Sequence, residues 1–471
     1  MTAILWFRRD LRVSDNPALR AAMVGGRLVV PAFVWAPQEE AEWAPGAASR
    51  WWLHQSLEEL RGALERRGSR LAIRRGPSAD ALLRLAQECA ADTVFWNACY
   101  EPAELARERA VEAALHAAGI AVRRFPGNLL FEPGTIRNSS GGPFQVFTAF
   151  WKACVRTPGP EPPAATPKRV PGPAKWPDSL TVRELRLEPE IDWAGGLRAA
   201  WQPGEAGAAR KLKAFLLESA SAYAEDRDRP DRAGTSRLSP HLHFGEVSAR
   251  QIWRVAHGCG SRAPESYLRQ LVWREFAHHL LYHYPDTPRE ALRPHFRSFP
   301  WLQDAKGLSA WQRVKTGYPL VDAGMRELWQ TGWMHNRVRM VTASFLVKHL
   351  MIRWQEGAAW FWDTLLDADL ANNTLGWQWC AGLGADAAPY FRIFNPVTQG
   401  EKFDPEGRYV RRWVPELARL PGRWIHQPWR APAPVLAAAG VELGRTYPRP
   451  IVGHQAARER ALAAFASLRR A

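Results

Sequence analysis

Between Leu365 and Pro396 the chain reads LLDADLANNTLGWQWCAGLGADAAPYFRIFNP. Asp367 and Asp369 stand two apart beside the paired amides Asn372 and Asn373, and Trp377 and Trp379 bracket a glutamine. Asp386 and a run of small residues lead into Tyr390, Phe391, Arg392 and Phe394. A plain core segment does not gather carboxylates and amides against tryptophans, because buried polar groups need partners. A solvated loop does not carry so many large aromatics. The combination suits a pocket that holds a flat ring with polar edges and passes something to it.

Three further segments carry chemistry. Gly234–Ser239, GTSRLS, brings hydroxyls, an arginine and backbone donors together, which can wrap a pyrophosphate without a glycine-rich loop; the same residues could instead cap a helix. Tyr223 lies just upstream and could pack on a ligand. In Gln270–Phe276, QLVWREF, helical spacing puts Gln270 and Trp273 on one face, and the neighbouring Arg–Glu pair reads equally well as a structural ion pair beside a core tryptophan. In Thr331–Met340, TGWMHNRVRM, Asn336, Arg337 and Arg339 open a helix.

These segments need a scaffold. Ala3–Phe7, Leu28–Trp35, Leu71–Ile73, Thr93–Trp96 and Ala121–Phe125 read as strands, with helical spacing at Trp52, Leu57, Leu60 and Leu64 and an Ala/Glu/Arg-rich helix over Ala103–Ala118. The alternation predicts an α/β domain, a doubly wound parallel sheet with helices on both faces, whose ligands sit at strand carboxyl ends. No GxGxxG or GxxxxGK[ST] follows a strand, which argues against a dinucleotide or P-loop site of the usual kind. Ser14 or Asp15 is the expected N-cap before Pro17. Proline density over Arg156–Pro177 marks a connector, with Leu180–Trp201 as its continuation. From Gly204 helical periodicity takes over, with helices expected over Ala206–Glu218, Ser248–Ala256, Glu265–Tyr284, Pro319–Thr331, Arg337–His349 and Gly357–Leu366. The expected division is 1–132 (α/β), 133–203 (linker) and 204–471 (larger, all-α).

The chain has 471 residues and a net charge of +16, so two or three domains and a polyanionic partner are expected, nucleic acid first. Five scattered cysteines, Cys89, Cys99, Cys154, Cys259 and Cys380, show no metal-ligand spacing and fit a reducing compartment. The apolar run before Arg8 is too short for a signal peptide, and no later run approaches a membrane span. A soluble cytoplasmic protein is expected.

WFRRDLR, GTSRLSPHLHFGEVS, QLVWREF, KTGYPLVDAGMRELWQTGWMHNRVRM, DADLANN with GWQW, and DAAPYFRIFNPVTQGEKFDPEG resemble, in order, motifs of the photolyase/cryptochrome family. RWWLHQSL and SPHLHFGEVS are most similar to its bacterial class III branch, close to plant cryptochromes. The resemblance implies an all-helical domain that binds FAD. Tyr223, Thr235, Ser236, Arg237, Leu238 and Ser239 match its phosphate-side residues; Arg339 and Asp367 match a buried pair against the flavin ring, and Asp369 a second carboxylate at its edge. Asn336 and Trp273 match further pocket residues, and Asn373 the residue beside flavin N5. Trp273, Trp379 and Met340 match the walls of a substrate pocket, where Gln270 replaces a glutamate common in class I photolyases. Trp377, Trp354 and Trp301 match an electron-transfer triad. Glu104, near Tyr100 and Glu101, matches an antenna contact for 5,10-methenyltetrahydrofolate, with a deazaflavin as the alternative, although Ala103 replaces its usual asparagine neighbour.

What the resemblance implies is light-driven repair of cyclobutane pyrimidine dimers in damaged DNA, by a monomer with no obligate protein partner. Arg392 and Lys402 are expected at phosphates, though a solvated basic face would explain both equally. Photolyases carry asparagine at the position of Asn373 and plant cryptochromes aspartate, so Asn373 argues for repair over blue-light signalling. The recognisable sequence runs almost to Arg458, which also disfavours signalling through a C-terminal extension. A (6-4) photolyase would use a histidine pair, for which His241 and His243 are the candidates.

Overall fold

A computed structural model describes residues 1–257, 264–386 and 391–468; Cys259 and Tyr390 lie outside the described residues. The chain forms two compact units: residues 1–218, 236–285 and 366–370 in the first, and 219–235, 286–365 and 371–471 in the second. These divisions do not follow the boundaries at 132 and 204, because compactness groups segments that local sequence pattern keeps apart.

The first unit is built on five parallel strands: β1 (Thr2–Phe7), β2 (Leu28–Trp35), β3 (Ala72–Arg75), β4 (Ala91–Asn97) and β5 (Ala121–Phe125). Their spatial order is β3-β2-β1-β4-β5. β1 lies centrally, with Ile4 opposite Val30 on one side and Val94 on the other. It is almost wholly buried, as expected of a parallel strand covered on both faces. The helices α1 (Pro17–Ala22), α2 (Ala47–Glu65), α3 (Ser78–Glu88) and α4 (Pro102–Ala117) connect the strands. On one face Ile4, Trp6, Val94 and Trp96 pack with Leu82 and Leu85 of α3 and Val111 and Leu115 of α4.

The strand order reverses between β1 and β4, so Arg8–Asp10 and Ala98–Glu101 leave adjacent strand ends at the topological switch. The cap of α1 is Asn16, not Ser14 or Asp15. Its side chain accepts from Leu19 N, while Ser14 is engaged by Glu205 and Asp15 accepts from Ala164 N. The proline-rich connector is pinned along the sheet: Val29 N donates to Pro171 O and Leu180 N to Ile73 O. Beyond it a short helix, Gly195–Ala200, interrupts what sequence reads as linker. Arg12, fully buried, donates to Asp15 O, Asn128 Oδ1 and Gly245 O, which ties the start of the chain to the loop after the helix Ser239–His243. Gly245 has φ +67°, and a Cβ there would lie 2.0 Å from Arg9 O, so no other residue fits without a shift. The long helix Glu265–His283 completes this unit.

The second unit is built from helices around Trp311, Val321, Val338, Phe345 and Trp377, each nearly or wholly excluded from solvent. Asp322 anchors it, accepting from Thr316 N, Gly317 N and Tyr447 OH. The helix expected over Arg337–His349 runs regularly from Asn336 to Ser344 and then widens into a π-turn at Phe345–His349. In the first unit, the helix at Glu205–Ala214 does the same at Phe215–Ser219. Hydrophobic spacing does not register one inserted residue per turn.

Candidate active site

In the first unit, Asp367 and Asp369 sit on a tight turn in which Asp369 N donates to Asp367 O at 2.7 Å. Both are buried. Asp369 Oδ2 lies 3.2 Å from His278 Nε2 and 3.8 Å from His243 Nδ1. Burial alone would raise the Asp369 carboxyl, but the nearby His278, His243 and Arg274 hold it well below the usual carboxylate range. Asp369 is therefore a fixed anion. Ser236, Arg237 and Ser239 flank buried Leu238, where Arg237 takes φ 51° and lies 4.6 Å above the Trp201 ring.

Gln270 and Trp273 are half-buried on the helix Glu265–His283. Phe147, from the helix Phe147–Arg156, stacks on Trp273 with 3.7 Å between centroids and 7° between planes. One face of Trp273 is thus covered, and the other alone can serve as a wall. The Arg–Glu pair of this helix is structural. Arg274 Nη1 reaches Glu275 Oε1 at 3.3 Å, and the buried Glu275 accepts from Leu130 N and Phe131 N.

Glu104, matched to an antenna contact, is engaged by arginines of its own unit. It is 2% exposed, with Oε1 taken by Arg107 at 3.1 Å and Oε2 by Arg8 at 3.4 Å. The histidines weighed for (6-4) chemistry are also committed: His241 Nδ1 meets Glu246 at 2.5 Å, and His243 lies between Arg9 and Asp369.

In the second unit, Tyr223 is buried and Thr235 half-buried. Asn336 Nδ2 lies 3.9 Å from Met340 Sδ one turn on, and Arg339 Nε donates to Met334 O at 2.7 Å. Asn373, on the helix Leu370–Ala381, donates from Nδ2 to Ala358 O at 3.1 Å. A carbonyl can only accept, so this bond fixes the amide and leaves Oδ1 as its acceptor end. Trp377 and Trp354 are 2% exposed and Trp301 is half-buried, giving a gradient from interior towards surface. Trp379 Nε1 donates to Asp386 O, and its ring lies 6.4 Å from Phe394.

A cavity of about 410 Å³ is lined by Glu225, Asp228, Arg229, Arg337, Arg392, Gln399, Lys402 and Phe403. Arg337 pairs with Asp228 at 2.8 Å and Arg229 with Asp231 at 2.7 Å. Arg392 and Lys402 are exposed, lie over Phe394 and Phe403, and have no ion-pair partner among the described residues. The buried Gln399 Oε1 is likewise unpartnered.

These residues fit a flavin. Taken unit by unit, the first offers the anionic carboxylate of Asp369 and the hydroxyls of Ser236 and Ser239, groups of the kind that a flavin edge and a pyrophosphate require, and the second offers the fixed amide acceptor of Asn373 and the hydroxyl of Thr235. Sequence reading missed His278 as the partner of Asp369 and Arg9 as the partner of His243. Their only local signal is an extra histidine after QLVWREF and a second arginine in WFRRDLR. It also missed Lys348, buried to 1%, whose Nζ donates to Ala381 O at the end of the Asn373 helix.

Known proteins resemble this chain along its whole length. Residues 3–168 match the family model described as DNA photolyase, and residues 267–467 the FAD binding domain of DNA photolyase. A deoxyribodipyrimidine photo-lyase of Agrobacterium fabrum is 48% identical, covering 99% of this chain and 98% of its own. Cryptochrome-1 of Arabidopsis thaliana is 43% identical over 97% of this chain and 69% of its own. The crystal structure of a bacterial class III photolyase from Agrobacterium tumefaciens superposes with a TM-score of 0.96 at 47% identity, over all of this chain and 98% of that one. With relatives this similar along its whole length, and with a helical site suited to a flavin, the chain belongs to the photolyase/cryptochrome family.

Proposed function

We propose that the chain is a deoxyribodipyrimidine photo-lyase that repairs cyclobutane pyrimidine dimers in DNA, using light. The observation that carries this is Asn373, an amide fixed by its donation to Ala358 O at the position where the resemblance gives plant cryptochromes an acid. Bound reduced FAD would supply, on excitation, an electron that the dimer takes up and returns. The chain's own part is to bind, orient and exclude water.

Tyr223, Thr235, Ser236, Arg237, Leu238 and Ser239 hold the phosphate side of the cofactor; Asn336, Arg339, Asp367 and Asp369 hold its ring. Asn373 Oδ1 accepts from the ring nitrogen without offering a proton. By the family resemblance, Trp273, Trp379 and Met340 are assigned to contact with an extruded dimer, whose damaged stacking lowers the cost of flipping. Gln270 donates to a dimer carbonyl. Arg392 and Lys402, cations of the cavity rim with no ion-pair partner among the described residues, neutralise phosphates. Trp377, Trp354 and Trp301 relay electrons inward from the surface. A second chromophore, methenyltetrahydrofolate or a deazaflavin, gathers light, with Glu104 as its proposed contact. The protein acts as a cytoplasmic monomer. Among the described residues no helix is long and apolar enough to cross a membrane.

The test is to reduce the bound flavin and follow a thymine-dimer oligonucleotide by recovery of base absorbance, illuminated and dark. Light-dependent recovery is expected. Flavin photoreduction without recovery would move the function to a blue-light receptor, the reading supported by the 43% identity to a cryptochrome.

A further inference from the structure

Behind Asp369 lies a cluster that the repair chemistry does not use. Arg9, just beyond β1 at the topological switch, places Nη1 2.5 Å from His243 Nε2. An arginine only donates, so Nε2 accepts; His243 is neutral, with its proton on Nδ1 facing Asp369. Arg9 Nη2 lies 3.3 Å from Glu40 and 3.8 Å from Glu101. Arg107 binds Glu40 at 3.3 Å, Glu104 at 3.1 Å and Glu39 at 2.8 Å. Arg8 joins Glu104 at 3.4 Å to Glu108 at 2.7 Å.

The carboxyls and guanidiniums of this cluster are unevenly paired. Glu40, Glu101, Glu104, Glu108 and Asp369 are served by Arg8, Arg9 and Arg107, with Arg124 and Arg274 at its two ends. Glu40 is held by two arginines. Glu101 is the least served: its carboxylate meets Arg9 alone among the described residues, at a distance too long for a hydrogen bond. Its side chain keeps 12% of its exposure, enough for exchange with solvent.

We propose that Glu101 holds or releases one proton and that this change of charge is passed through Arg9 and His243 to Asp369, making Glu101 a positioning residue for the flavin-edge carboxylate. The part about the flavin edge rests on the function proposed above. The groups facing Glu101 and Asp369 are Arg9, Glu40, Glu104, Arg107, His243, Arg274, His278 and Asp367, on every element packed there. Burial, most of all, together with Asp369 and Glu104, pushes the Glu101 carboxyl up to about 7 against the pull of Arg9 and His278. His243 is held down to about 4 by burial first, so it stays neutral while Glu101 titrates. Losing the proton adds an anion on Arg9, which weakens the arginine's hold on His243.

The test uses the FAD-loaded protein, titrated across neutral pH by infrared absorption of protonated carboxyls and by the visible bands of the flavin. Three chains are compared: wild type, Glu101→Gln and Glu101→Asp. Subtracting Glu101→Gln isolates the Glu101 band from other protonated carboxyls. A carboxyl band lost with a midpoint near 7 is expected in wild type, absent in Glu101→Gln and displaced in Glu101→Asp, with the flavin bands moving at the same midpoint in wild type and flat in Glu101→Gln. A band unchanged in Glu101→Gln overturns the proton site, since that variant keeps the side chain's shape and removes its acid. Flavin bands indifferent to a band that does titrate overturn the coupling to Asp369. Failure of the function reading looks different: the protein would lack the flavin spectrum, while the carboxyl band would still titrate or not.

Discussion

At the scale of single residues, the cavity rim separates charges that can meet DNA from charges already spent. Arg392 and Lys402 are exposed and have no ion-pair partner among the described residues, while Arg337 and Arg229 line the same cavity paired with Asp228 and Asp231. A cation that neutralises a phosphate releases a counterion, so removing it lowers the slope of log affinity against log salt by about 1. Arg392→Ala and Lys402→Ala are each expected to show that loss on a dimer-containing duplex, measured from 50 to 200 mM salt. Arg337→Ala is expected to change the slope much less, because its charge is already balanced by Asp228. Equal slopes for all three variants and the parent chain would remove Arg392 and Lys402 from the interface. Neither net charge nor motif could have drawn this distinction, since the partners of Arg337 and Arg229 lie in another segment or in a short acidic turn.

At the scale of elements, the helix Trp354–Thr364 is shaped to admit Trp377. A Cβ on Gly357 would lie 2.0 Å from the Trp377 ring, whose other neighbours, Phe361 and Trp311, stand at 5.0 and 6.2 Å between centroids. Gly357→Ala must therefore displace an indole from a packed core, at a cost of roughly 1–3 kcal/mol. A lowered urea midpoint is expected, together with slower photoreduction of the flavin, because the displaced ring is the innermost of the proposed triad. Full stability with unchanged photoreduction would show that Trp377 has room to move and is not held for transfer. Such element-scale features were partly legible. Leu28–Trp35 reads as a strand because a buried parallel strand is a continuous apolar run, and its ends match. Pro319–Thr331 reads as a helix because proline opens it and Gly332 closes it in the left-handed region. The cap of α1 was misread because Ser14, Asp15 and Asn16 are all competent caps, and Glu205 and Ala164, far along the chain, claim the first two. The residues proposed for the flavin side stand out in the sequence because Asp367, Asp369, Asn373, Trp377 and Trp379 share one turn and one helix. Their partners were not: Arg9 and His243 are 234 positions apart, and nothing local marks either as a ligand of the other.

At the scale of the whole molecule, the same burial that fits polar groups to a site makes the fold sensitive to acid. Burial is the leading cause that lowers His243, His279 and His335 to about 4 and His349 to about 3, and it also lowers His283, His426 and His454. These side chains stay neutral in the folded chain while the unfolded chain protonates them near 6.5. The unfolded state then binds more protons, so each contributes a loss of stability as pH falls below that value. Buried carboxyls act in the opposite sense. Glu101 is raised to about 7 and Asp404 to about 6, and Glu40, Glu275 and Asp322 are raised as well, burial again leading. They take up protons in the folded chain before the unfolded one does, which favours the fold as pH falls. Four histidines lowered to about 4 or 3 stand against two carboxyls raised to about 7 and 6, so between about pH 6 and 4.5 the unfolded chain holds the excess of protons and stability falls with pH. Urea midpoints of the flavin-loaded protein are therefore expected to be flat from pH 8 to 7 and to fall steeply from pH 6 to 5. A midpoint that holds or rises over that lower interval would mean that the buried carboxyls outweigh the histidines, and the cluster around Glu101 would be the first place to look for the additional protons.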